Sequence, residues 1–255
     1  MEKCSKPIFT YEEEVDSWDL ERDNVMGIDL GVNNFATIVT SEGSPYVVDG
    51  RLLKNQIYFK CKNVSKLQSI LNKQGLKKSK RIENINEGFK GIQNNYLNHT
   101  IKFILETCKE QNVGTIILGY HYKFQYKSNM GKKTKPNIFS LCIQTIQRKT
   151  LKPKCKLHDI ILIIQEESFA SKSSFLDNDI LPVYQANKKK GIKYEFKGKR
   201  IKRGLYKTLE GKLINADVNA AANIIRKSKQ KFNFERLCKW VMTAPTKIRP
   251  LIYYQ

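Results

Sequence analysis

The sequence lacks the features that mark membrane-spanning and secreted proteins. No apolar run approaches the roughly 20 residues that a membrane-spanning helix needs, because the longest candidate, residues 160–164, has only the length of a strand. The N-terminus carries no apolar core of the kind found in a secretory signal. We therefore expect a cytoplasmic protein, associated with the nucleoid if its source is bacterial, and no membrane partner.

Closely spaced cysteines are also missing. The six cysteines are spread so widely that no two can form a Cys-x-x-Cys zinc or redox pair, and nothing indicates a disulfide framework. The three histidines are equally scattered, and each is interpreted as a structural or surface residue. The sequence thus predicts reduced thiols and no site built from paired cysteines.

Acidic residues are scarce relative to basic ones. The 255 residues include 46 Lys and Arg against 24 Asp and Glu, which gives a formal net charge of +22. A hydrophobic fraction of 40% is too high for a wholly disordered basic tail, so we expect a folded core with a strongly positive surface. Nucleic acid is favoured as the partner over an anionic membrane, because no amphipathic apolar stripe accompanies the charges.

Hydrophobic patterning predicts an α/β domain that opens with three strands. Short apolar runs at 25–30, 35–40 and 46–48 are joined by tight turns and indicate an antiparallel meander. Apolar residues at helical spacing follow over 52–112, where two helices joined near residues 75–80 fit best.

The remainder of the pattern alternates strands with helices. Runs at 113–118 and 160–165 predict a fourth and a fifth strand, separated by a weaker helical stretch at 138–151. A final helix is expected over 216–227. This order is that of the RNase H-like fold, a mixed sheet with helices packed on its faces.

Carboxylates fall at the ends of three predicted elements. Asp29 closes the first strand, and Asp217 opens the last helix. Glu166 and Glu167 follow the fifth strand. Because the first and fifth strands of an RNase H-like sheet run parallel, their C-terminal ends lie at one edge, where the last helix can begin. Carboxylates gathered there suit Mg²⁺, and two such ions about 4 Å apart can activate a water at a phosphodiester bond.

Each acid also has an ordinary structural interpretation. Asp217 could interact with the helix dipole, and Asp29 could be a turn residue before a glycine. The two glutamates could be surface acids at the end of a strand. Their joint placement favours a metal site, because clustered acids without a metal repel each other and raise one another's pKa.

Residues 170–215 are expected to form a basic loop insertion. Within 188–212, eleven Lys or Arg residues stand against two glutamates, and Tyr194, Phe196 and Tyr206 are interleaved. Cations for phosphates and rings for base stacking are typical of a nucleic-acid groove, while a solvated loop is the alternative. The residues predicted to contact nucleic acid are Lys172, Lys197, Lys199, Arg200, Lys202, Arg203 and Tyr206.

The sequence around these acids resembles a known family. The segments GIDLGVNNFAT at 27–37 and NADVNAAANI at 215–224 resemble the first and third nuclease motifs of the TnpB (OrfB) proteins of bacterial insertion sequences. The segments ESFASKSSFLD at 167–177 and KGKRIKRGLY at 197–206 resemble one subgroup of that family. The similarity runs in order from about residue 8 to residue 228.

The resemblance implies a RuvC-like nuclease domain whose Asp–Glu–Asp site uses Mg²⁺. Members of the family cleave DNA under the direction of an RNA, and their relatives include the type V CRISPR effectors and the Fanzor proteins. Asp29 and Asp217 match the two aspartates. Most members place the glutamate at the end of the fourth strand, where this chain has Gly119, but the subgroup carries it in the segment that here begins at Glu167. Glu167 is therefore assigned to the site, with Glu166 as the alternative, because adjacent strand residues face opposite ways.

Three departures from the family pattern bear on this assignment. No cysteine lies in 170–215, where most members carry a four-cysteine zinc ribbon, so no zinc is expected. The segment 137–159 matches poorly, and Pro153 would disrupt a helix there. Few residues precede the first motif, so the chain resembles the C-terminal nuclease half of such a protein. We therefore divide it into a remnant of an upstream region or linker at 1–24, a nuclease domain at 25–230 and a C-terminal tail at 231–255.

The leading hypothesis is a metal-dependent DNA endonuclease domain of a transposon-associated protein. Its expected partners are DNA, a guide RNA and a transposase encoded by the same element. The alternative is a truncated or repurposed DNA- or RNA-binding protein without catalysis on the same fold. Survival of all three acids favours the nuclease, whereas the short N-terminal region favours the binder. A ribosome-associated basic protein would explain the charge but not the acids.

Overall fold

The computed structural model describes a mixed sheet with helices on both faces. The residues described are 17–41, 43, 45–120, 150–183, 194–230, 232 and 244–250. The main sheet has six strands in the order β5-β4-β1-β2-β3-β9. These strands are β1 (Val25–Leu30), β2 (Asn34–Thr40), β3 (Tyr46–Asp49), β4 (Thr115–Tyr120), β5 (Ile161–Glu166) and β9 (Thr246–Ile248). A second sheet contains β6 (Lys199–Lys202), β7 (Leu205–Lys207) and β8 (Leu213–Asn215). The helices are α1 (Arg51–Lys73), α2 (Lys80–Glu110), α3 (Lys152–Leu157) and α4 (Ala216–Ser228).

Strand directions place three C-terminal strand ends at one edge of the sheet. β1 and β2 are antiparallel, with Asp29 opposite Thr37, and β2 and β3 continue the meander. β1 pairs parallel with β4, and β4 pairs parallel with β5, where Gly119 lies opposite Gln165. The predicted RNase H-like topology is therefore confirmed, and the edge that carries Asp29 also receives the ends of β4 and β5.

Two hydrophobic cores cover the two faces of the sheet. Successive residues of a strand point to opposite faces. Ile28 is therefore buried in the core that includes Leu53 of α1 and Tyr96 of α2, whereas Val25 belongs to the core formed with α4. Alanines let α4 approach closely, so that a Cβ added at Gly27 would lie 2.4 Å from Ile225 Cγ1. This tight packing fixes the start of α4 relative to β1.

The region before β5 differs from expectation where it is described. The helix predicted at 138–151 lies almost entirely outside the described residues. Pro153, expected to disrupt a helix, instead lies in the first turn of α3. Proline is tolerated there because the first N–H groups of a helix have no intrahelical acceptor.

Two short features were not predicted from the sequence. The insertion contains an antiparallel hairpin of β6 and β7, whose turn includes Gly204 at φ 79°. β9 pairs parallel with β3 and extends the main sheet. β6 reads KRIK and is exposed throughout, so it shows none of the apolar alternation that identifies a strand. Over the part of the chain that the structure describes, no helix is long and apolar enough to cross a membrane.

Candidate active site at the sheet edge

Asp29 lies within β1, between the buried residues Ile28 and Leu30. Burial raises the pKa of its carboxyl well above the ordinary value. The carboxylates of Glu167 and Asp217 raise it further, and Arg200 opposes them. The structure thus brings the three acids predicted from the sequence into one electrostatic cluster.

Glu167 follows β5 directly and reaches over the end of β4. A Cβ added at Gly119 would lie 2.8 Å from Glu167 Oε2. The space above position 119 is therefore filled by a carboxylate from the residue that follows the neighbouring strand. Burial raises the pKa of Glu167 to about 7, with Glu166 adding to the rise and Lys227 opposing it.

Glu166 has different partners from its neighbour. Its Oε2 accepts a hydrogen bond from Lys227 Nζ at 2.5 Å, and its Oε1 accepts one from the backbone N–H of Ser168. Although burial raises the pKa of Glu166, the hydrogen bonds from Lys227 and Ser168 hold it below its ordinary value. Glu166 is therefore an ion-paired carboxylate, and the geometry favours Glu167 as the residue that faces Asp29.

Asp217 lies in the first turn of α4. The side chain of Asn215 caps this helix by accepting hydrogen bonds from the backbone N–H groups of Asp217 and Val218. The carboxylate of Asp217 accepts a hydrogen bond of 2.6 Å from Asn34 Nδ2 and one of 3.3 Å from Arg200 Nη2. It is therefore both a helix-terminal residue and a member of the acidic cluster.

Asp29 and Asp217 line a cleft of about 310 Å³. All other charged residues that line it are cations, namely Arg51, Arg200, Arg203 and Lys247. Acids among cations suit a nucleic-acid strand, because the cations neutralise phosphates while the acids remain available to a metal ion.

Two buried asparagines of α4 hold the segment that follows Glu167. Asn219 accepts a hydrogen bond from the backbone N–H of Phe175 and donates one to the carbonyl of Ser173. Asn223 donates to the carbonyls of Ala170 and Ser173. We call Asn219 and Asn223 the asparagine clamp.

The clamp joins two parts of the site that are distant in sequence. The helix that carries Asp217 thereby fixes the loop that carries Glu167. Sequence reasoning missed this role, although two asparagines four residues apart in the otherwise apolar stretch 218–225 are a usable signal. Buried amides require hydrogen-bond partners, and their spacing places both on one helix face.

The predicted nucleic-acid residues separate into exposed cations and one buried ring. Lys172, Lys197, Lys199, Lys202 and Arg203 are exposed, and Arg200 is directed toward Asp217. Tyr206 requires a correction, because its ring is fully buried and its hydroxyl donates to the carbonyl of Lys172. Burial also raises its pKa to about 12. Tyr206 is therefore a core residue, and its ring cannot stack on a base.

The acidic cluster has the donor chemistry of a Mg²⁺ site. Carboxylate oxygens are the ligands that Mg²⁺ prefers. Burial is the main cause of the raised pKa values of Asp29 and Glu167, and neighbouring carboxylates raise both further. Within the described ranges, no three Asp, Glu, His or Cys side chains stand in a metal-binding arrangement. Asp217 is instead directed toward Asn34 and Arg200.

Comparison with known proteins finds a family model that matches part of the chain and solved structures that share its fold. The family OrfB_IS605, described as "Probable transposase", matches residues 8–125. No curated protein matches the chain. Similar solved structures include a Cas12f1-sgRNA-target DNA complex, 17% identical with a TM-score of 0.51, and a CRISPR-Cas12f ternary complex, 16% identical with a TM-score of 0.50. These cover 80% and 87% of this chain but 50% and 42% of those chains. The chain therefore spans half or less of their length, and at these identities the likeness concerns the RuvC-like fold.

Proposed function

We propose that this chain, whose residues 8–125 match the OrfB_IS605 family model, is the nuclease domain of a transposon-associated protein and hydrolyses phosphodiester bonds in DNA. The observation that carries this proposal is the meeting of Asp29, Glu167 and Asp217 at one sheet edge. These residues come from β1, the end of β5 and the start of α4, and a cation-lined cleft adjoins them.

In this proposal, Asp29, Glu167 and Asp217 hold Mg²⁺. When bound, the metal supplies an activated water and positive charge for the leaving oxygen. Asn34 orients the carboxylate of Asp217, and Arg200 balances part of the negative charge of the cluster. The asparagine clamp keeps the Glu167 loop in register with α4.

DNA is the proposed substrate, and a guide RNA is the proposed partner. The similar Cas12f1 structure is described as a complex with sgRNA and target DNA. Because this chain spans half or less of that protein, we assign RNA-directed targeting to a complete assembly and not to this chain alone. A transposase of the same element and a nucleoid location in a bacterial source remain proposals that rest on the family resemblance.

A DNA- or RNA-binding protein without catalysis is the second candidate function. It is favoured by the pairing of Asp217 with Arg200 and Asn34, because a carboxylate with these partners must exchange them before it can bind a metal ion. Such a protein would bind nucleic acid through the same cations.

Cleavage of labelled single- and double-stranded DNA in Mg²⁺ or EDTA, with and without co-purified RNA, tests the proposal. Asp29→Asn and Glu167→Gln should each reduce cleavage by more than about 100-fold, beyond the 10–100-fold typical of groups that only orient a metal ligand. Glu166→Gln is the matched control and should retain most activity. Absence of cleavage by the wild type in every condition, with salt-sensitive binding intact, would support the second function.

A relocation of the glutamate tests the assignment of Glu167 directly. Glu167→Ala opens the space that its carboxylate fills above Gly119, and Gly119→Glu in that background should restore part of the lost cleavage. The end of the Ile224 side chain, which would lie 2.6 Å from a Cβ at position 119, must shift to admit it. Recovery in Gly119→Glu/Glu167→Ala but not in Gly119→Gln/Glu167→Ala would show that the carboxylate itself is required.

A further inference from the structure

A buried carboxylate at the end of β3 gathers three cations. Asp49 has a side chain only 9% exposed, and Arg51 Nη2 lies 2.6 Å from its Oδ2. Lys247 of β9 and Arg249 approach the same oxygen at 3.5 and 3.9 Å. Residues that are far apart in the sequence are thereby brought together.

One carboxylate cannot neutralise three cations. Arg51 makes a close pair with Asp49 through both Nε and Nη2. Lys247 and Arg249 stand at longer distances, and their side chains are 41% and 73% exposed. Counted over the described residues alone, the cluster therefore presents about two positive charges that Asp49 does not neutralise.

This excess charge lies beside the carboxylates of the site. Arg51 and Lys247 line the same cleft as Asp29 and Asp217. The cations of this cleft thus come from two separate parts of the fold, the β6–β7 hairpin and the β3–β9 edge of the sheet.

Stability alone does not explain Lys247 and Arg249. Exposed ion pairs typically contribute only about 0–1 kcal/mol each. Lysine on an edge strand can discourage pairing with other chains, but that role does not require a position in the cleft. A cation that contacts a phosphate, by contrast, contributes directly to nucleic-acid affinity through counterion release.

We propose that Arg51, Lys247 and Arg249 form a backbone-binding site, the β9 site, for the phosphates of a nucleic-acid strand that passes the carboxylates. This inference rests on the proposed function and extends it by locating the strand, which runs from the hairpin cations past Asp29 toward the β3–β9 edge. Asp49 is a positioning residue that holds the three cations.

Binding of a fluorescein-labelled oligo(dT) strand by the full chain in EDTA tests this site without cleavage. Fluorescence anisotropy across salt concentrations gives the slope of log Kd against log salt. Lys247→Ala/Arg249→Ala should reduce that slope by about 1.4, because each contact to single-stranded phosphate contributes about 0.7. Lys247→Arg/Arg249→Lys keeps both charges and should retain the wild-type slope.

The matched control removes two lysines far from the cleft. Lys77 and Lys78 are exposed and follow the C-terminal end of α1. Because α1 begins at Arg51 and has 23 residues, its C-terminal end lies roughly 35 Å from Arg51. Lys77→Ala/Lys78→Ala lowers the net charge equally and should leave the slope unchanged. Thermal midpoints check that the variants fold. If Lys247→Ala/Arg249→Ala does not fold, the single variant Lys247→Gln replaces it and should lower the slope by about 0.7.

The outcomes separate this inference from the nuclease proposal. The β9 site would be overturned if Lys247→Ala/Arg249→Ala had the same slope as the wild type. It would also be overturned if both double variants lost the same amount of slope, or if the wild type did not bind. A reduced slope confined to the β9-site variants would support it. Because EDTA prevents metal-dependent cleavage, that support would hold even if the wild type never cleaved DNA.

Discussion

The two sides of the cleft are held by different kinds of contact. Beside α4, the Glu167 loop is fixed by Asn219 and Asn223, whose side chains are fully buried and hydrogen-bonded to backbone. On the other side, Arg200 and Lys247 are held by longer ion pairs and remain about 40% exposed. The loop that carries Glu167 is thus held by neutral, buried hydrogen bonds, whereas the cations are held by ion pairs that are exposed to solvent.

We call the side that includes α4 and the Glu167 loop the rigid side, and the side that carries Arg200 and Lys247 the cationic side. The ion pair of Glu166 belongs to the rigid side. The side chain of Lys227 is only 4% exposed, and its ammonium donates to Glu166 and to the carbonyls of Ser168 and Pro182. Loss of a partner from such buried contacts costs about 1–3 kcal/mol, whereas an exposed pair costs about 0–1 kcal/mol. We therefore expect changes on the rigid side to alter stability and geometry, and changes on the cationic side to alter affinity.

Breaking the clamp should have the largest effect. Asn223→Ala removes the side-chain donor to the buried carbonyl of Ala170, and the carbonyl of Ser173 keeps only its hydrogen bond from Asn219. The substitution also removes an acceptor from Arg226. We expect the free energy of unfolding, measured with urea, to fall by about 2–4 kcal/mol. Cleavage at a temperature where the variant remains folded should also fall, because the Glu167 loop loses its register.

An exposed asparagine of a helix provides the matched control for this variant. Asn98→Ala changes an exposed position of α2 and should alter stability by no more than about 0.5 kcal/mol. Equal stability of the Asn223→Ala and Asn98→Ala variants would show that the clamp is not what fixes the rigid side.

Placing acids together on the rigid side should itself cost stability. The pKa of Glu167 is raised to about 7, so the folded state binds more protons than the unfolded state between about pH 4.5 and pH 7, and stability falls as pH rises through that window. Glu167→Gln in EDTA should therefore raise the free energy of unfolding by about 1–3 kcal/mol at pH 8 and have little effect at pH 4.5. Urea unfolding at the two pH values measures the difference.

Glu166→Gln tests whether the stability gained in Glu167→Gln is specific to that site or would follow from the removal of any nearby negative charge. Because Lys227 and Ser168 hold the pKa of Glu166 below its ordinary value, its ionised form favours folding. Its replacement should lower stability at pH 8, opposite in sign to Glu167→Gln. Stabilisation by both substitutions would contradict the assignment of the two glutamates to different environments.

The strands and helices of the fold and the positions of the two aspartates were largely predictable from sequence because local patterning determines them, whereas the asparagine clamp was missed. β1, β4 and β5 are short apolar runs, and the amphipathic spacing of α1 and α2 is strong. Asp29 and Asp217 stand at a strand end and at a helix start. The separation of Glu166 from Glu167 was not predictable from the residues alone, since it depends on Lys227, which is distant in sequence and close only after folding.

The cationic side was mostly missed because its structure depends on tertiary contacts. β6 is exposed at every position, and β9 has three residues and little apolar pattern. Tyr206 was assigned to nucleic acid because basic residues surround it. In the structure, Leu205 is partly buried, Tyr206 is buried and Lys207 is exposed. In the sequence, however, three residues are too few for an alternating pattern to predict a strand.

The smallest expected effect concerns the anchor of the β9 site. Hydrogen bonds from Arg51 lower the pKa of Asp49 to about 2, so its contribution to stability is complete above its unfolded pKa of about 3.8 and is lost as pH falls toward 2. Arg51 is 56% exposed, and solvent screening therefore limits the contribution to about 1 kcal/mol. Asp49→Asn should lower the free energy of unfolding by that amount at pH 7, and the difference should shrink between pH 4 and pH 2.

Asp159→Asn is the control, because its pair with Arg22 is about 65% exposed on both sides and should contribute almost nothing. Urea midpoints at pH 7, 4, 3 and 2.5 follow both variants against the wild type. Loss of oligo(dT) salt dependence in Asp49→Asn beyond its small stability change would show that the carboxylate positions the cations. An unchanged slope would mean that Lys247 and Arg249 reach phosphates without it, as their exposure permits.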